Sequence, residues 1–254
     1  MKEKWRMLLT ENNSAYTNMA IDRAVMITNK EKKVPPTVRF YTWAPPAISI
    51  GYFQSLEEEI DLTICKKLGI DYVRRITGGG AVFHDKELTY SIVIPESRPE
   101  IPKKIIDSYG RICGAIIKGL SNLGIESQYA PINDIISNGK KISGNAQTRK
   151  ERTVLQHGTV LMDVDVDKMF SVLKVPNEKI KDKLIKDVKQ RVTSVKNILN
   201  EDITFLKAAD AMKLGFENEF DIELVKEKLT DEEIKLTEKF EKQIFSSKDW
   251  NHKR

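Results

Sequence analysis

The pattern of apolar and polar positions divides the first half of the chain into alternating strands and helices. Thr37 to Trp43 and Ala47 to Phe53 are β-rich, and Ala44-Pro45-Pro46 between them forms a turn that neither strand can continue through. Further strands are predicted at Ile70 to Arg75, at Val82 with Leu88 to Ile94, at Ser127 to Ala130 and at Thr153 to Met162.

Two segments in this half carry helical signals. Asp61 to Leu68 reads as a short helix with Asp61 as its N-cap and Gly69 just past its end. The longer helix runs from Lys103 to Leu123, where apolar residues recur every three or four positions. Glycines inside a helix cost stability, so we expect those in this helix to mark close approach to a sheet: Gly110, Gly114 and Gly119.

An Asn-Gly pair gives a strong hairpin signal in the middle of the chain. Asn138-Gly139 should fold Lys140 to Ser143 back beside Asp134 to Ile136. After Asp163 the pattern predicts mainly helices, at Val166 to Leu173, Glu178 to Val188, Ile203 to Met212 and Asp231 to Phe245. No Gly/Ser/Pro-rich linker separates the two regions. We therefore predict one domain over residues 1–254, with an α/β core at about 1–163 and a helical flank at about 164–254.

Composition and charge exclude several classes of protein. The net charge of the 254 residues is only +5, and no basic run is interleaved with aromatic residues, so nucleic-acid binding is not expected. No apolar run is long enough to span a membrane, and no secretion signal follows Met1. Cys65 and Cys113 have neither metal-type spacing nor a disulfide pattern. These features predict a cytoplasmic protein.

The segment RRITGGGAVFHD, residues 74–85, contains three consecutive glycines between two predicted strands. Such a stretch lets a ligand approach the backbone closely, and its N–H groups can line an anion site. The arginines at positions 74 and 75 have the fork geometry that suits phosphate. The segment matches neither the Walker A pattern nor GxGxxG. The alternative is a tight structural turn flanked by two solvated arginines.

A second candidate segment covers residues 133–147 and includes the predicted hairpin. Strand alternation places Ile142 on one face and Lys141 and Ser143 on the other. The Lys141 ammonium could then reach into a cleft and hold a phosphate or carboxylate. The alternative is that Lys140 and Lys141 are both exposed hairpin charges. His157 lies on another predicted strand, where a single histidine is more often structural than catalytic.

Together the two segments resemble the lipoate–protein ligase A family. The family has an arginine pair followed by Ser or Thr and GGGAVFHD, and further on an Asn-Asp pair and a Lys-x-Ser-Gly-x-Ala strand, which correspond here to Asn133-Asp134 and KISGNA at 141–146. Residues 18–22, 50–54, 174–179 and 191–195 are also similar to family segments. The resemblance implies the biotin/lipoyl protein ligase catalytic-domain fold, an α/β (α+β) architecture with a mixed β-sheet flanked by helices.

The resemblance also implies an activity and partners. ATP and lipoate would react, with Mg²⁺, to give lipoyl-AMP. The lipoyl group would then pass to a lysine of a lipoyl domain of the 2-oxoacid dehydrogenase complexes or of the glycine-cleavage H protein. Long family members carry a further small domain, whereas this sequence ends at Arg254. It therefore resembles the split form, in which a separate small accessory subunit supplies that domain.

Site residues follow from the same resemblance. Lys141 would be catalytic, by contacting the lipoyl carbonyl oxygen and the α-phosphate, and Asp134 would hold Mg²⁺ or the nucleotide. The implied nucleotide-binding residues are Arg75, Gly78, Gly79, Gly80, Ala81, Val82, Phe83, Asp134, Lys141 and Ala146. The implied lipoate-binding residues are Gly79, His84, Lys141, Ser143, Gly144 and His157.

Other activities remain alternatives. An octanoyl or lipoyl transferase that takes its acyl group from a carrier protein would need a thiol nucleophile. Neither Cys65 nor Cys113 lies just before Asp134, where the resembling acyltransferases carry theirs, and Cys113 sits among apolar residues. A biotin ligase would have a differently spelled glycine motif. A non-catalytic regulator that binds lipoyl-AMP would keep the pocket without turnover. On these grounds the sequence favours the ATP-dependent ligase.

Overall fold

The protein is described by a computed structural model over residues 1–174 and 178–253. The strands in these residues are β1 Glu3–Asn13, β2 Thr37–Trp43, β3 Ala47–Ile50, β4 Asp71–Arg74, β5 Val82–His84, β6 Glu87–Pro95, β7 Gln128–Ala130, β8 Asp134–Ser137, β9 Lys140–Lys150, β10 Thr153–Leu161 and β11 Ile222–Lys226. The helices are α1 Ala15–Lys30, α2 Leu56–Glu59, α3 Leu62–Leu68, α4 Ile105–Asn122, α5 Val166–Val172, α6 Glu178–Arg191, α7 Val195–Leu199, α8 Phe205–Phe220, α9 Asp231–Phe240 and α10 Lys248–Asn251. A π-helical segment, Glu241–Phe245, extends α9.

The strands form one large and one small mixed sheet. The large sheet has eight strands in the order β11-β1-β2-β6-β10-β9-β8-β7, and the small sheet has the order β4-β3-β5. Strand β1 pairs in parallel with both β11 and β2, whereas β2, β6, β10, β9 and β8 pair antiparallel in succession. The sheets with their flanking helices confirm the predicted fold class. None of the described helices combines the length and apolarity needed to cross a bilayer.

Helices α4 and α8 pack together over one core of the large sheet. A Cβ on Gly215 would lie 2.2 Å from the carbonyl oxygen of Ala115, and one on Gly119 would lie 2.5 Å from Met212 Sδ. Gly119 of α4 and Gly215 of α8 therefore permit close approach of the two helices. The prediction that the α4 glycines mark approach to a sheet is wrong for Gly119 and for Gly114, whose Cβ would lie 3.0 Å from the Glu219 side chain of α8. A separate core joins α1 with the π-helical segment and the other face of the sheet.

Most predicted elements are present with small changes in length. Asp61 caps α3 through hydrogen bonds from the amides of Thr63 and Ile64, and Gly69 ends it in the left-handed region. Asn138 and Gly139 both have positive φ, as the predicted hairpin turn requires. The sequence did not predict β11, which the tail of the chain contributes to the edge of the large sheet. Of the family segment at 174–179, residues 175–177 lie outside the described residues.

Candidate active site

Residues from both sheets enclose a volume of about 360 Å³, which we call the central cavity. This volume lies in the range typical of small-molecule sites. Strands β2, β3, β5, β6, β9 and β10 contribute to it, together with α1, α5 and α6. Its apolar wall includes Tyr41, Trp43, Val82, Phe83, Leu161 and Met169. Such a wall suits the hydrocarbon part of a ligand better than a nucleotide phosphate.

The cavity brings together most of the residues that the family resemblance implied. Those that line it are Arg75, Gly79, Gly80, Ala81, Val82, Phe83, His84, Lys141, Gly144, Ala146 and His157. Gly78, Asp134 and Ser143 are not part of its lining. These placements agree with one shared site, while the individual roles of the residues stay predictions.

The glycine run forms the loop between β4 and β5. Gly79 has a φ of 98°, a conformation that side-chain-bearing residues rarely adopt. A Cβ on Gly51 would lie 1.9 Å from the carbonyl oxygen of Gly79, so the loop lies directly against the end of β3. A Cβ on Gly78 or Gly80 would meet nothing within 4 Å. The loop therefore needs glycine at position 79 for its own shape, Gly51 after β3 makes room for it, and Gly78 and Gly80 leave open space.

Arg75 anchors this loop. Its guanidinium donates to Thr77 Oγ1 at 3.1 Å, to the Ser49 carbonyl at 2.9 Å and to Ser49 Oγ at 3.2 Å. It also donates to the carbonyl oxygens of Gly78 at 2.8 Å and Gly80 at 2.7 Å. These contacts occupy all five N–H groups, and none of the acceptors is a carboxylate. Burial lowers the pKa of Arg75 to about 10. Its predicted contact with a nucleotide stays a prediction.

Arg74 anchors the neighbouring segments. Its guanidinium donates to the carbonyl oxygens of Gly51 and Gln54 on one side and of Trp250 and Asn251 on the other. The side chain is fully buried, and that of Arg75 is almost so. The alternative of two solvated arginines is therefore wrong. The arginine pair ties the glycine loop to β3 and to the C-terminal helix α10.

Two buried histidines lie near Arg75. Each one contacts a hydroxyl group through one ring nitrogen and a carboxylate through the other. His84 Nε2 lies 2.7 Å from Ser49 Oγ, and its Nδ1 lies 2.7 Å from Glu87 Oε1. His157 Nε2 lies 2.7 Å from Thr77 Oγ1, and its Nδ1 lies 3.3 Å from Asp22 Oδ2. Both hydroxyl groups accept from Arg75 as well. Each histidine is thus held by two partners, which supports the structural interpretation made for His157.

The environment of His157 favours its neutral form. Burial lowers the pKa of His157, although its contact with Asp22 opposes that shift. Burial opposes ionisation of Asp22, but the hydrogen bond from His157 and the charge of Arg39 outweigh it, so the pKa of Asp22 is lowered. Arg39 Nη1 lies 2.8 Å from Asp22 Oδ1. The Asp22 carboxylate is therefore ionised, and its Oδ2 accepts a hydrogen bond from the Nδ1–H of a neutral imidazole.

Lys141 extends from the β8–β9 hairpin into the cavity. Its Nζ lies 2.6 Å from Asp134 Oδ1, and its side chain is 40% exposed. A Cβ on Gly144 would lie 2.8 Å from this Nζ, so glycine at that position leaves room for the lysine. A register shift makes Ile142 an extra residue in β9, and Ser143 is buried away from the cavity. Simple alternation therefore fails here, although Lys141 itself reaches the cleft as predicted.

The described residues contain no group of three or more His, Cys, Asp or Glu side chains that could hold a metal ion. Asp134, the predicted Mg²⁺ ligand, contacts the ammonium group of Lys141 instead. Magnesium at this position stays a prediction.

Sequence reasoning missed several residues of the cavity. Tyr41 and Trp43 lie on a predicted strand but gave no signal that separates a cavity wall from a core. Asn145 belongs to the KISGNA segment and accepts a hydrogen bond from Tyr90 Oη at 2.6 Å. A Cβ on Gly158 would lie 2.0 Å from the Asn145 side-chain oxygen, so this glycine makes space for it. Of these missed residues, only Asn145 could have been found from the sequence, because it lies within the recognised KISGNA segment.

The cysteines lie in the protein core. Cys65 belongs to the core of the small sheet and Cys113 to that of α4, and both are buried. Neither lines the central cavity. Burial raises the pKa of Cys65 to about 11 and that of Cys113 to about 12. Both thiols are therefore protonated at neutral pH and out of reach of a ligand in the cavity.

Curated relatives resemble this chain over its whole length. A protein from Brevibacillus brevis named octanoyltransferase LipM is 36% identical over 275 residues, which cover 99% of this chain and 100% of the relative. Three further relatives that are 34–38% identical carry the same name.

These relatives contradict the prediction of an ATP-dependent lipoate–protein ligase, because they are named for octanoyl transfer. The error has a structural reason. The two recognised motifs form the cavity and bring Lys141 into it, and neither motif distinguishes an acyl donor that is made with ATP from one that is a thioester. The sequence favoured a ligase over a transferase because no cysteine lies just before Asp134. The absence of that cysteine is not enough to exclude a transferase.

Solved structures show the same fold. An archaeal bi-partite lipoate protein ligase studied with its E2 lipoyl domain, from Thermoplasma acidophilum, has a TM-score of 0.88 and 31% identity, covering 98% of this chain and 96% of that one. A lipoate-protein ligase A bound with ATP has a TM-score of 0.84 and 28% identity, covering 99% of both chains. For this chain, the accessory subunit stays a prediction. The relatives and these neighbours are enzymes, and the family model "Lipoyl protein ligase A/B catalytic domain" matches residues 14–217. The chain therefore belongs to the lipoyl protein ligase A/B catalytic-domain family.

Proposed function

We propose that this protein transfers an octanoyl group from the thioester of an acyl carrier protein to a lysine of a lipoyl domain. The observation that carries the proposal is the central cavity, in which an apolar wall faces the ammonium group of Lys141. A medium-length hydrocarbon chain fits the wall, and its carbonyl group can approach the charge. The names of the full-length relatives support the choice of an octanoyl group.

The chemistry requires stabilisation of negative charge on the acyl carbonyl oxygen. When a nucleophile attacks a thioester, that oxygen becomes an oxyanion, and a nearby cation lowers the barrier. Lys141 is the side chain that we assign to this role, since it lines the cavity and its side chain is only 40% exposed. The thioester supplies the driving force for amide formation. The proposal therefore requires neither ATP nor Mg²⁺.

We propose the acceptor from the similar T. acidophilum ligase and from the net charge of this chain. The similar ligase from T. acidophilum was studied with its E2 lipoyl domain. The H protein of the glycine-cleavage system, which the family resemblance implied, is a second candidate. A net charge of +5 on this chain suits an acidic acceptor, because electrostatic steering accelerates association. Lipoate itself remains a candidate acyl group, since its chain is also apolar.

The proposed reaction does not use a cysteine nucleophile. The sequence analysis treated a thiol as a requirement of the transferase, but both cysteines are buried, have raised pKa values and lie outside the cavity. We therefore expect iodoacetamide to leave the transfer unaffected.

The test is a transfer assay with purified protein, octanoyl-acyl carrier protein and a lipoyl domain, without ATP. Mass spectrometry of the lipoyl domain should show one octanoyl group, and a lipoyl domain with Arg at its acceptor lysine should remain unmodified. A parallel reaction contains free octanoate, ATP and Mg²⁺. Modification in the parallel reaction alone would refute the proposal.

A further inference from the structure

We propose that Ser49, His84 and Glu87 form a nucleophile–base–acid relay in which Ser49 accepts the acyl group as an ester before the acceptor lysine receives it. The inference rests on the proposed acyl transfer and supplies the nucleophile that the cysteines cannot provide. Ser49 and His84 both line the central cavity. The relay therefore lies where an acyl donor would enter.

The distances match those of an activated nucleophile. Ser49 Oγ lies 2.7 Å from His84 Nε2, and His84 Nδ1 lies 2.7 Å from Glu87 Oε1. A nucleophile and its base are typically about 2.6–3.2 Å apart, and a third group orients the base. All three side chains are buried, which strengthens the interactions between them.

The direction of proton donation is fixed by the neighbours of Glu87. The indole N–H of Trp43 can only donate, and it bonds to Thr89 Oγ1 at 2.7 Å. The Thr89 hydroxyl in turn donates to Glu87 Oε1 at 2.5 Å. A carboxylate oxygen accepts hydrogen bonds, so we assign the proton of the 2.7 Å contact to His84 Nδ1, which donates to Glu87 Oε1. His84 Nε2 is then the acceptor and receives the hydrogen bond of the Ser49 hydroxyl.

Two further contacts hold the relay in place. The ring of His84 stacks on Trp43, with centroids 4.0 Å apart and planes inclined by 13°. The guanidinium of Arg75 donates to Ser49 Oγ at 3.2 Å and would stabilise negative charge on that oxygen. The orientation of the base and the charge beside the nucleophile are therefore both set before a donor binds.

A second relay of the same kind serves as a comparison within the protein. Thr77, His157 and Asp22 are joined in the same order, and Arg75 donates to the Thr77 hydroxyl as well. Thr77 is fully buried and does not line the cavity. Ser49 and Thr77 therefore have the same kinds of partner, and they differ in that Ser49 lines the cavity whereas Thr77 does not.

The reaction balances in two steps. Ser49 Oγ attacks the thioester carbonyl carbon, its proton passes to His84 Nε2, the C–S bond breaks, and His84 returns the proton to the leaving thiolate. The lysine amine then attacks the serine ester and loses a proton to His84, which returns it to Ser49 Oγ as the C–O bond breaks. The products are an amide and a free thiol. No oxidant or further reactant is needed.

Two measurements on the wild-type protein test the relay. Incubation with octanoyl-acyl carrier protein alone should add one octanoyl group to the enzyme, and peptide mapping should place it on Ser49. An octyl fluorophosphonate, which reacts with activated serine whatever the natural donor is, should label the same residue. Transfer to the lipoyl domain with neither adduct nor label would overturn the relay and leave the proposed function standing. Absence of any transfer would refute the proposed function itself.

Variants separate chemistry from folding. Ser49→Ala should lower transfer by about 10³-fold or more, and His84→Gln by about 10²–10⁴-fold. Ser49→Cys restores a nucleophile at the same position, and its transfer should become sensitive to iodoacetamide. Thr77→Val, which alters the second relay, should still be labelled at Ser49. Near-normal transfer by folded Ser49→Ala, or iodoacetamide resistance of an active Ser49→Cys, would contradict the proposal.

Discussion

Replacing Lys141 by alanine tests the charge that the proposed reaction needs. The Nζ atom lies 2.6 Å from Asp134 Oδ1, and the side chain is 40% exposed, so its removal creates no buried cavity. The surface pair contributes about 0–1 kcal/mol to stability. We therefore expect the variant to fold normally and to lose only catalysis.

The expected size of the loss follows from the chemistry. Removal of one donor to a developing oxyanion raises a barrier by about 3–4 kcal/mol, or roughly 10²–10³-fold in rate. Because Lys141 is partly exposed, water can replace some of its effect, and we expect the lower part of that range. The loss should appear in kcat more than in KM, since the charge on the oxygen develops only in the transition state.

The assay is octanoyl transfer from carrier protein to lipoyl domain, followed by mass spectrometry of the acceptor. Lys140→Ala removes the adjacent exposed lysine and is the matched control, which should retain wild-type activity. Gly144→Ala keeps the lysine but would place a Cβ 2.8 Å from its Nζ, so it should also lower kcat. If Lys141→Ala transfers at nearly the wild-type rate, the role assigned to this ammonium group is refuted.

Two further changes test the glycine loop and its anchor, and a third tests a buried ion pair of the fold. Gly51→Ala places a Cβ 1.9 Å from the Gly79 carbonyl oxygen, so a displaced loop should lower transfer at least tenfold; wild-type activity would contradict this. Arg75→Lys cannot replace five N–H donors and should lower the melting temperature measured by circular dichroism, whereas an unchanged value would contradict the anchoring role. Glu233→Gln breaks a buried ion pair with Arg6 (2.5 Å) and should cost about 3–5 kcal/mol of unfolding free energy. Burial opposes ionisation of Glu233, but Arg6 outweighs it and lowers its pKa, so this contribution is present above about pH 4.3 and is lost as the pH falls further. The stability difference from wild type should therefore narrow in acid, and a constant difference would contradict the assignment.

The local elements could be predicted because their signals are local. The N-cap at Asp61, the helix stop at Gly69 and the Asn138-Gly139 turn each depend on residues a few positions apart. Strand β11 could not be predicted in this way. It pairs with β1, more than two hundred positions away, and a five-residue segment between helices carries little periodicity of its own.

The central cavity was predictable in location but not in detail. The glycine run and the lysine strand together located the cavity, because both depart from ordinary strand patterns. The partners of Arg75 were not predictable, since an arginine pair beside glycines equally suggests a phosphate site, and only the folded chain shows that loop carbonyls occupy its donors. Likewise, the register shift at Ile142 that separates Ser143 from Lys141 depends on the partner strand.

The arrangement of Arg75 explains how a loop with so few side chains can be held in one conformation beside the cavity. Three glycines in succession would lose much conformational freedom on binding if the loop were free. Here the guanidinium fixes two of their carbonyl groups, and the two histidine relays fix the hydroxyl groups that the guanidinium also contacts. That entropy is therefore lost during folding, before a substrate arrives, and the polar groups around the cavity need little rearrangement as charge develops. Such preorganisation does not depend on which nucleophile attacks. Such a preorganised loop suits the proposed acyl transfer as well as it would suit the adenylate chemistry that the sequence first suggested.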